Sequence, residues 1–168
     1  TNKFSILKGK DTISAKIAQM TFDAKKEILH INKGLSHVSY DQKIVKRRDI
    51  KWRVISDLSQ EDLAKAVFLR EEFSSKLGYD VDARYLNLES DVKYAIHIVD
   101  DDGVLVFLDC EKPENMTALW TNNKVFVQYF KISFEKLWRD AIDVNVKIDK
   151  LFLENQKFSS NKKQGLFA

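Results

Sequence analysis

Apolar residues in this chain change their period again and again, and that alternation restricts the fold more than any single residue does. Phe4-Ser-Ile-Leu7 is a short apolar run closed by Gly9. Ile13, Ile17, Met20 and Ala24 then follow the i, i+4, i+7 spacing of a helix face, with Asp11 or Thr12 expected as its cap. Residues 27–32 read as a strand broken at Gly34. Residues 39–48 read as a weaker helix, with Lys46, Arg47 and Arg48 near the end where cations favour the dipole. Residues 52–55 alternate as a strand. Ser59-Gln-Glu-Asp62 is close to a capping box and opens a helix through Leu63, Val67 and Phe73 to Gly78. Residues 81–86 are strand-like again. Strand and helix in turn predict an α/β fold whose sheet is mixed but mostly parallel, with helices on both faces.

The rhythm then changes. Residues 94–99 and 104–108 flank Asp100-Asp-Asp-Gly103, and Asp-Gly between two apolar runs signals a hairpin. A further strand covers 116–121. Asn123 opens a long helix whose Phe126, Phe130, Phe134, Leu137, Trp138 and Ala141 form one broad apolar face, expected to dock across the sheet. Past Asp149 the composition turns to Lys, Asn, Gln and Ser without a period. One domain over residues 1–150 is expected, followed by a linker or mobile tail over 151–168.

Composition agrees with that scale. A chain of 168 residues with 44% apolar content buries one sizeable core. Its charged residues, 32% of the total, mix both signs, and a net charge of +3 is too small to argue nucleic-acid binding alone. Cys110 is the only cysteine, which excludes an internal disulfide and favours a reducing, cytoplasmic setting. No apolar run approaches the roughly 18 to 20 residues that cross a bilayer, so no membrane partner is expected. The chain opens at Thr1 rather than Met, and a longer parent protein is expected.

A strand, an Asp-Asp-Gly turn, two more strands and a terminal amphipathic helix resemble the end of a phospholipase D-type half-domain. In that family a strand carries His-x-Lys and ends, five residues after the lysine, in Asp. With Asp100 in the aspartate's place, Lys93 stands where the nucleophilic histidine belongs and Ala95 where the phosphate-binding lysine belongs. His97 has Val99, not lysine, two residues on. Neither His30 nor His37 supplies a second copy, since Asn32 and Ser39 follow. A phosphodiesterase needs nucleophile and cationic clamp together, so no catalytic residue is expected.

From Phe4-Ser-Ile-Leu-Lys-Gly9 through Ala24-Lys-Lys-Glu-Ile28, Val99-Asp-Asp101 and Trp120-Thr-Asn122 to Phe134-Glu-Lys-Leu-Trp138, the chain resembles the C-terminal effector domains of archaeal TrmB-like transcription regulators. The resemblance implies a non-catalytic domain that senses a small polar metabolite, a sugar or an anion. It implies a homodimer, and DNA contact only through a flanking domain. Related domains also serve as inputs to archaeal histidine kinases and other signalling proteins, and a purely dimerising module is a further alternative.

In open α/β sheets ligands sit beyond the carboxyl ends of the strands. The strand-end residues Asn32, Lys33, Ser56, Asp57, Thr121 and Asn122, with Arg84, Lys93, Asp100 and Trp120, are therefore the expected ligand-binding set. For any one of them, ordinary loop solvation is the simpler account. Asp100, Asp101 and Asp102 are expected to form a turn rather than a metal site, and neither a metal nor a cofactor is expected. Lys43, Lys46, Arg47, Arg48, Lys51 and Arg53 make the most basic stretch, which a solvated helix end explains.

Overall fold

The computed structural model describes residues 1–33, 50–57, 80–89, 93–110 and 112–165. The helices expected over 39–48 and from Ser59 to Gly78 lie outside the described residues. Eight strands form one sheet: β1 (Phe4–Lys8), β2 (Glu27–Lys33), β3 (Lys51–Asp57), β4 (Asp80–Tyr85), β5 (Tyr94–Val99), β6 (Gly103–Asp109), β7 (Thr117–Thr121) and the two-residue β8 (Ile142–Asp143). Helix α1 (Lys10–Asp23) follows β1, α2 (Lys124–Asp140) follows β7, and α3 (Val144–Gly165) follows β8.

The strands lie in the order β1-β7-β6-β5-β2-β3-β4-β8. Only β2 with β3 and β3 with β4 pair in parallel; the other five pairings are antiparallel. The sheet is thus mostly antiparallel, which corrects the mostly parallel expectation. The hairpins β5–β6 and β6–β7 reverse the chain locally, and β1 returns antiparallel on β7. Local periodicity identifies strands but carries nothing about which distant strand each one meets.

Both faces are covered, as expected. On one face Ile13, Ile17, Met20 and Ala24 of α1 and its end pack on Ile28, Trp52, Ala95, Val99, Leu105 and Ala118. On the other, Val127, Phe134 and Trp138 of α2 pack on Leu29, Ile31, Ile55, Ile98 and Val104. Alternation along each strand sends successive side chains to opposite faces, which is why one strand feeds both cores. The start of α1 differs from expectation. Gly9, at φ 85°, occupies the cap without a side-chain bond, and Asp11 sits in the first turn, where its charge favours the helix dipole. Asn123 does cap α2, its side-chain oxygen accepting from the N–H groups of Val125 and Phe126 at 3.0 and 3.3 Å.

Residues 151–165, expected as linker or tail, continue α3 as helix. From Phe152 to Asn161 every described side chain on it is exposed. An all-exposed helix needs no apolar stripe, so its sequence carries no period to read.

Candidate functional site

The ten residues expected around one mouth occupy two opposite ends of the sheet. β2 and β5 run antiparallel, so Lys33 pairs with Tyr94 at one end while Ile28 pairs with Val99 at the other. The seven residues of β2 separate those ends by about 20 Å.

Asp100, Thr121 and Asn122 stand at the end where β2 begins. Asp100 adopts φ 50°, and its carboxylate accepts the backbone N–H groups of Lys25, Lys26 and Glu27 at 2.6, 2.9 and 2.8 Å. Its own N–H donates to the Glu27 carbonyl at 3.1 Å. The expected hairpin turn is present, and its first aspartate clamps the α1–β2 connection. The Thr121 hydroxyl donates to the Lys3 carbonyl at 2.6 Å and accepts from the Asn123 N–H at 3.0 Å. The Asn122 side chain accepts from the Lys3 N–H at 2.7 Å and donates to the Thr1 carbonyl at 3.3 Å. These side chains fasten the start of the chain to β7.

Trp120 lies near the same end, on the α1 face. The Lys16 ammonium rests 3.7 Å from its ring centroid. A groove of about 290 Å³ opens there, lined by Lys3, Lys16, Met20, Asp102, Gly103 and Trp120 among others. Burial lowers the pKa of Lys16, with Asp23 opposing that shift. A Cβ on Gly103 would come 3.1 Å from the Trp120 indole nitrogen, a tight contact that the ring would have to shift by a few tenths of an ångström to accept.

On the opposite face of the same end an ion-pair network holds α2 to the sheet. Arg53 donates to both oxygens of Glu135, at 3.1 and 2.6 Å, and to Glu27 at 3.1 Å. Lys131 bridges Glu27 at 3.1 Å and Asp101 at 2.8 Å, and the Lys131 hydrogen bond holds the Asp101 carboxyl below its usual pKa. Arg53, the last member of the basic stretch, is thus occupied within the domain.

The other end collects Asn32, Lys33, Ser56, Asp57 and Lys93, with Arg84 one residue inside it. β2 and β3 pair in parallel there, and register sets Asn32 beside Ser56 and Lys33 beside Asp57. The Lys33 ammonium contacts the Asp57 carboxylate at 2.5 Å, and the same carboxylate accepts the Leu88 N–H at 2.8 Å. Arg84 stacks 4.1 Å from the Trp138 ring and donates to the Trp138 carbonyl at 3.2 Å. Tyr85 and Tyr94 join this end. Burial raises both phenol pKa values; Asp57 adds to the rise at both, and Lys33 works against it. Lys93 is exposed and makes no ion pair among the described residues. The only sequence signal for Tyr94 is its place directly after Lys93, at the start of a strand.

Ala95, in the place of the expected phosphate-binding lysine, is wholly buried against the α1 core. His30 and His97 face each other across β2 and β5 in mid-sheet, with ring centroids 5.6 Å apart and both side chains buried. Burial lowers the pKa of His97 to about 4 and that of His30 well below its ordinary value, and His97 lowers His30 further. Among the described residues no group of three or more His, Cys, Asp or Glu side chains is placed to hold a metal ion. Nor is any described helix long and apolar enough to cross a membrane.

No protein-family model and no curated protein matches this sequence. Solved structures do. TrmBL2, described as an archaeal chromatin protein with a novel mode of DNA binding, matches over 84% of this chain with a TM-score of 0.61 at 20% identity. Nuc from Salmonella typhimurium, a phospholipase D family member, matches over 85% with a TM-score of 0.61 at 13% identity. The chain has the phospholipase D-type fold. NucT from Helicobacter pylori shares it, with a TM-score of 0.58 at 12% identity over 85% of this chain. The match covers 98% of Nuc and of NucT but 54% of TrmBL2, so this chain spans about half the length of the TrmBL2 chain. The resemblance to TrmB-like effector domains and the phospholipase D-type resemblance thus meet in one fold.

Proposed function

We propose that this is a non-catalytic, cytoplasmic sensing domain of a TrmB-like transcription regulator, acting as a homodimer and binding a small polar metabolite. The observation that carries the reading is Ala95: a buried methyl group fills the position where the phospholipase D pattern calls for a cationic phosphate clamp. The fold is shared equally with TrmBL2 and with Nuc, so the choice of a regulator over an enzyme rests on Ala95, and in this reading contact with DNA falls to a flanking domain. The ligand end in this reading is the carboxyl end of the parallel strands. Ser56, Asp57, Lys33, Lys93, Tyr85 and Tyr94 there offer a hydroxyl, a carboxylate, two ammonium groups and two phenols.

A thermal-shift screen against sugars, nucleotides, organic acids and phosphates tests it. A ligand at a hundred times its dissociation constant stabilises the fold by about 2.7 kcal/mol, a readily measured shift. A shift that disappears in Lys93→Ala supports sensing at this end. Hydrolysis of a generic phosphodiester, lost in His97→Ala, would replace the reading with an enzymatic one.

A further inference from the structure

A helix lying on a sheet ordinarily turns charge outwards, and α2 does so along one flank and over its last turns, where Lys136, Arg139 and Asp140 are exposed. That flank carries Gln128, Lys131 and Glu135, all engaged with Asp101, Glu27 or Arg53. Over the first half of the helix the crest is apolar instead, up to the exposed Lys136. Val125, Tyr129 and Ile132 stand at i, i+4 and i+7 and are 75%, 66% and 56% exposed. The patch continues onto the sheet edge. Phe126 meets Phe4 edge to face at 5.4 Å, and Phe4 and Ile6 lie on one face of β1. Phe126, Phe4 and Ile6 are 43%, 52% and 54% exposed. These six side chains present about 600 Å² of apolar surface, taking roughly 200 Å² for a fully exposed aromatic and somewhat less for an aliphatic. That is the upper end of the largest patch found on a typical monomer.

We propose that the crest of α2, together with the free edge of β1, is the face through which two copies of this chain form a closed dimer. Area supports a second copy as the occupant. A two-fold contact buries the patch twice, about 1,200 Å² in all, which reaches the size of a specific stable interface. The sheet edge supports it independently. Among the described residues β1 pairs with β7 alone, so its outer side presents unpaired backbone groups over five residues that include no proline. The opposite edge is β8, two residues long and too short to receive β1 head to tail. A β1-to-β1 contact about a two-fold axis closes on itself, whereas a head-to-tail contact would propagate.

The proposal rests on the homodimeric part of the functional reading and is independent of ligand sensing. Sedimentation equilibrium on the full chain, without ligand, tests it in wild type, in the double variant Tyr129→Glu/Ile132→Glu, and in Phe158→Glu on the exposed part of α3. The expected result is a wild-type dimer at ~10 µM and a double variant whose dimer dissociation constant rises by ~100-fold or more. Phe158→Glu keeps the wild-type behaviour. Circular dichroism checks that the double variant folds, and Val125→Lys serves in its place if it does not. A wild-type monomer at ~100 µM overturns the proposal. So does a dimer that survives the crest variants, or one lost in Phe158→Glu. A sensor without a detectable ligand would leave the sedimentation result unchanged, so the two readings fail separately.

Discussion

The two ends of the sheet carry similar polar side chains and use them differently. Where β2 begins, Asp100, Thr121 and Asn122 spend their polar side-chain atoms on backbone groups of residues 1, 3, 25–27 and 123. Where β2 ends, Lys33 and Asp57 pair with each other, and an exposed ammonium and two phenols stand beside them. A polar side chain at a strand end is thus open to a ligand only as far as the protein has not already engaged it, and at the second end Asp57 is partly engaged, by the Leu88 N–H. The first end is an anchor, and the second is the end to which the proposed ligand is assigned.

The largest effect that tests this contrast is Asp100→Ala. It strips three backbone N–H groups of their acceptor and places alanine at φ 50°, where it is less tolerated than Asp. A loss of about 3 kcal/mol or more is expected, read as a fall of about 10 °C in the melting temperature. An unchanged melting temperature would remove the anchor.

Between the two ends, the buried histidines give a pH signature of similar size. The folded pKa of His97 is about 4, below its ordinary value, so the unfolded chain takes up the proton first as pH falls. Its contribution is complete above about pH 6.5 and is lost on going down towards pH 4, by about 3 kcal/mol in total. His30, shifted in the same direction, adds to the loss. Chemical denaturation followed from pH 7 to pH 5, above most carboxylate titrations, should show falling stability in wild type. The slope should be shallower in His97→Gln, and an equal slope in both proteins contradicts the assignment.

Smaller effects are expected on either side. Asn122→Ala removes the acceptor for the Lys3 N–H on an exposed segment and should cost about 1 kcal/mol without altering any ligand response. Lys93→Ala should change stability by less than about 0.5 kcal/mol while abolishing a ligand-induced thermal shift. If instead Asn122→Ala abolishes the shift and Lys93→Ala leaves it intact, the roles of the two ends are reversed.

Much of this molecule can be read from its residues, and the parts that cannot have a common cause. The Asp-Gly hairpin, the Asn123 cap and the strand periods of β1 to β7 are set by neighbours in sequence, and the structure contains them. The partner of each strand is not set that way, and the expected site inherited that gap. The rule that ligands gather at carboxyl ends brings strand ends together only when the strands run the same way. Asn32, Lys33, Ser56 and Asp57 on the parallel pair therefore lie together. Thr121 and Asn122 lie at the other end, because β7 runs opposite to β2. The clamp made by Asp100 spans more than seventy residues of chain, and the His30–His97 pairing is equally remote. No spacing pattern reports either.

α3 gives the domain a lever. It begins directly after β8, which pairs with β4 at Arg84 and Tyr85 beside the Lys33–Asp57 pair, and its 22 residues reach about 33 Å. A tilt of only about 5° at its base would carry the far end through roughly 3 Å on that length. A rearrangement too slight to notice around the two phenols would thus arrive at the tip of α3 as a displacement comparable to a hydrogen bond.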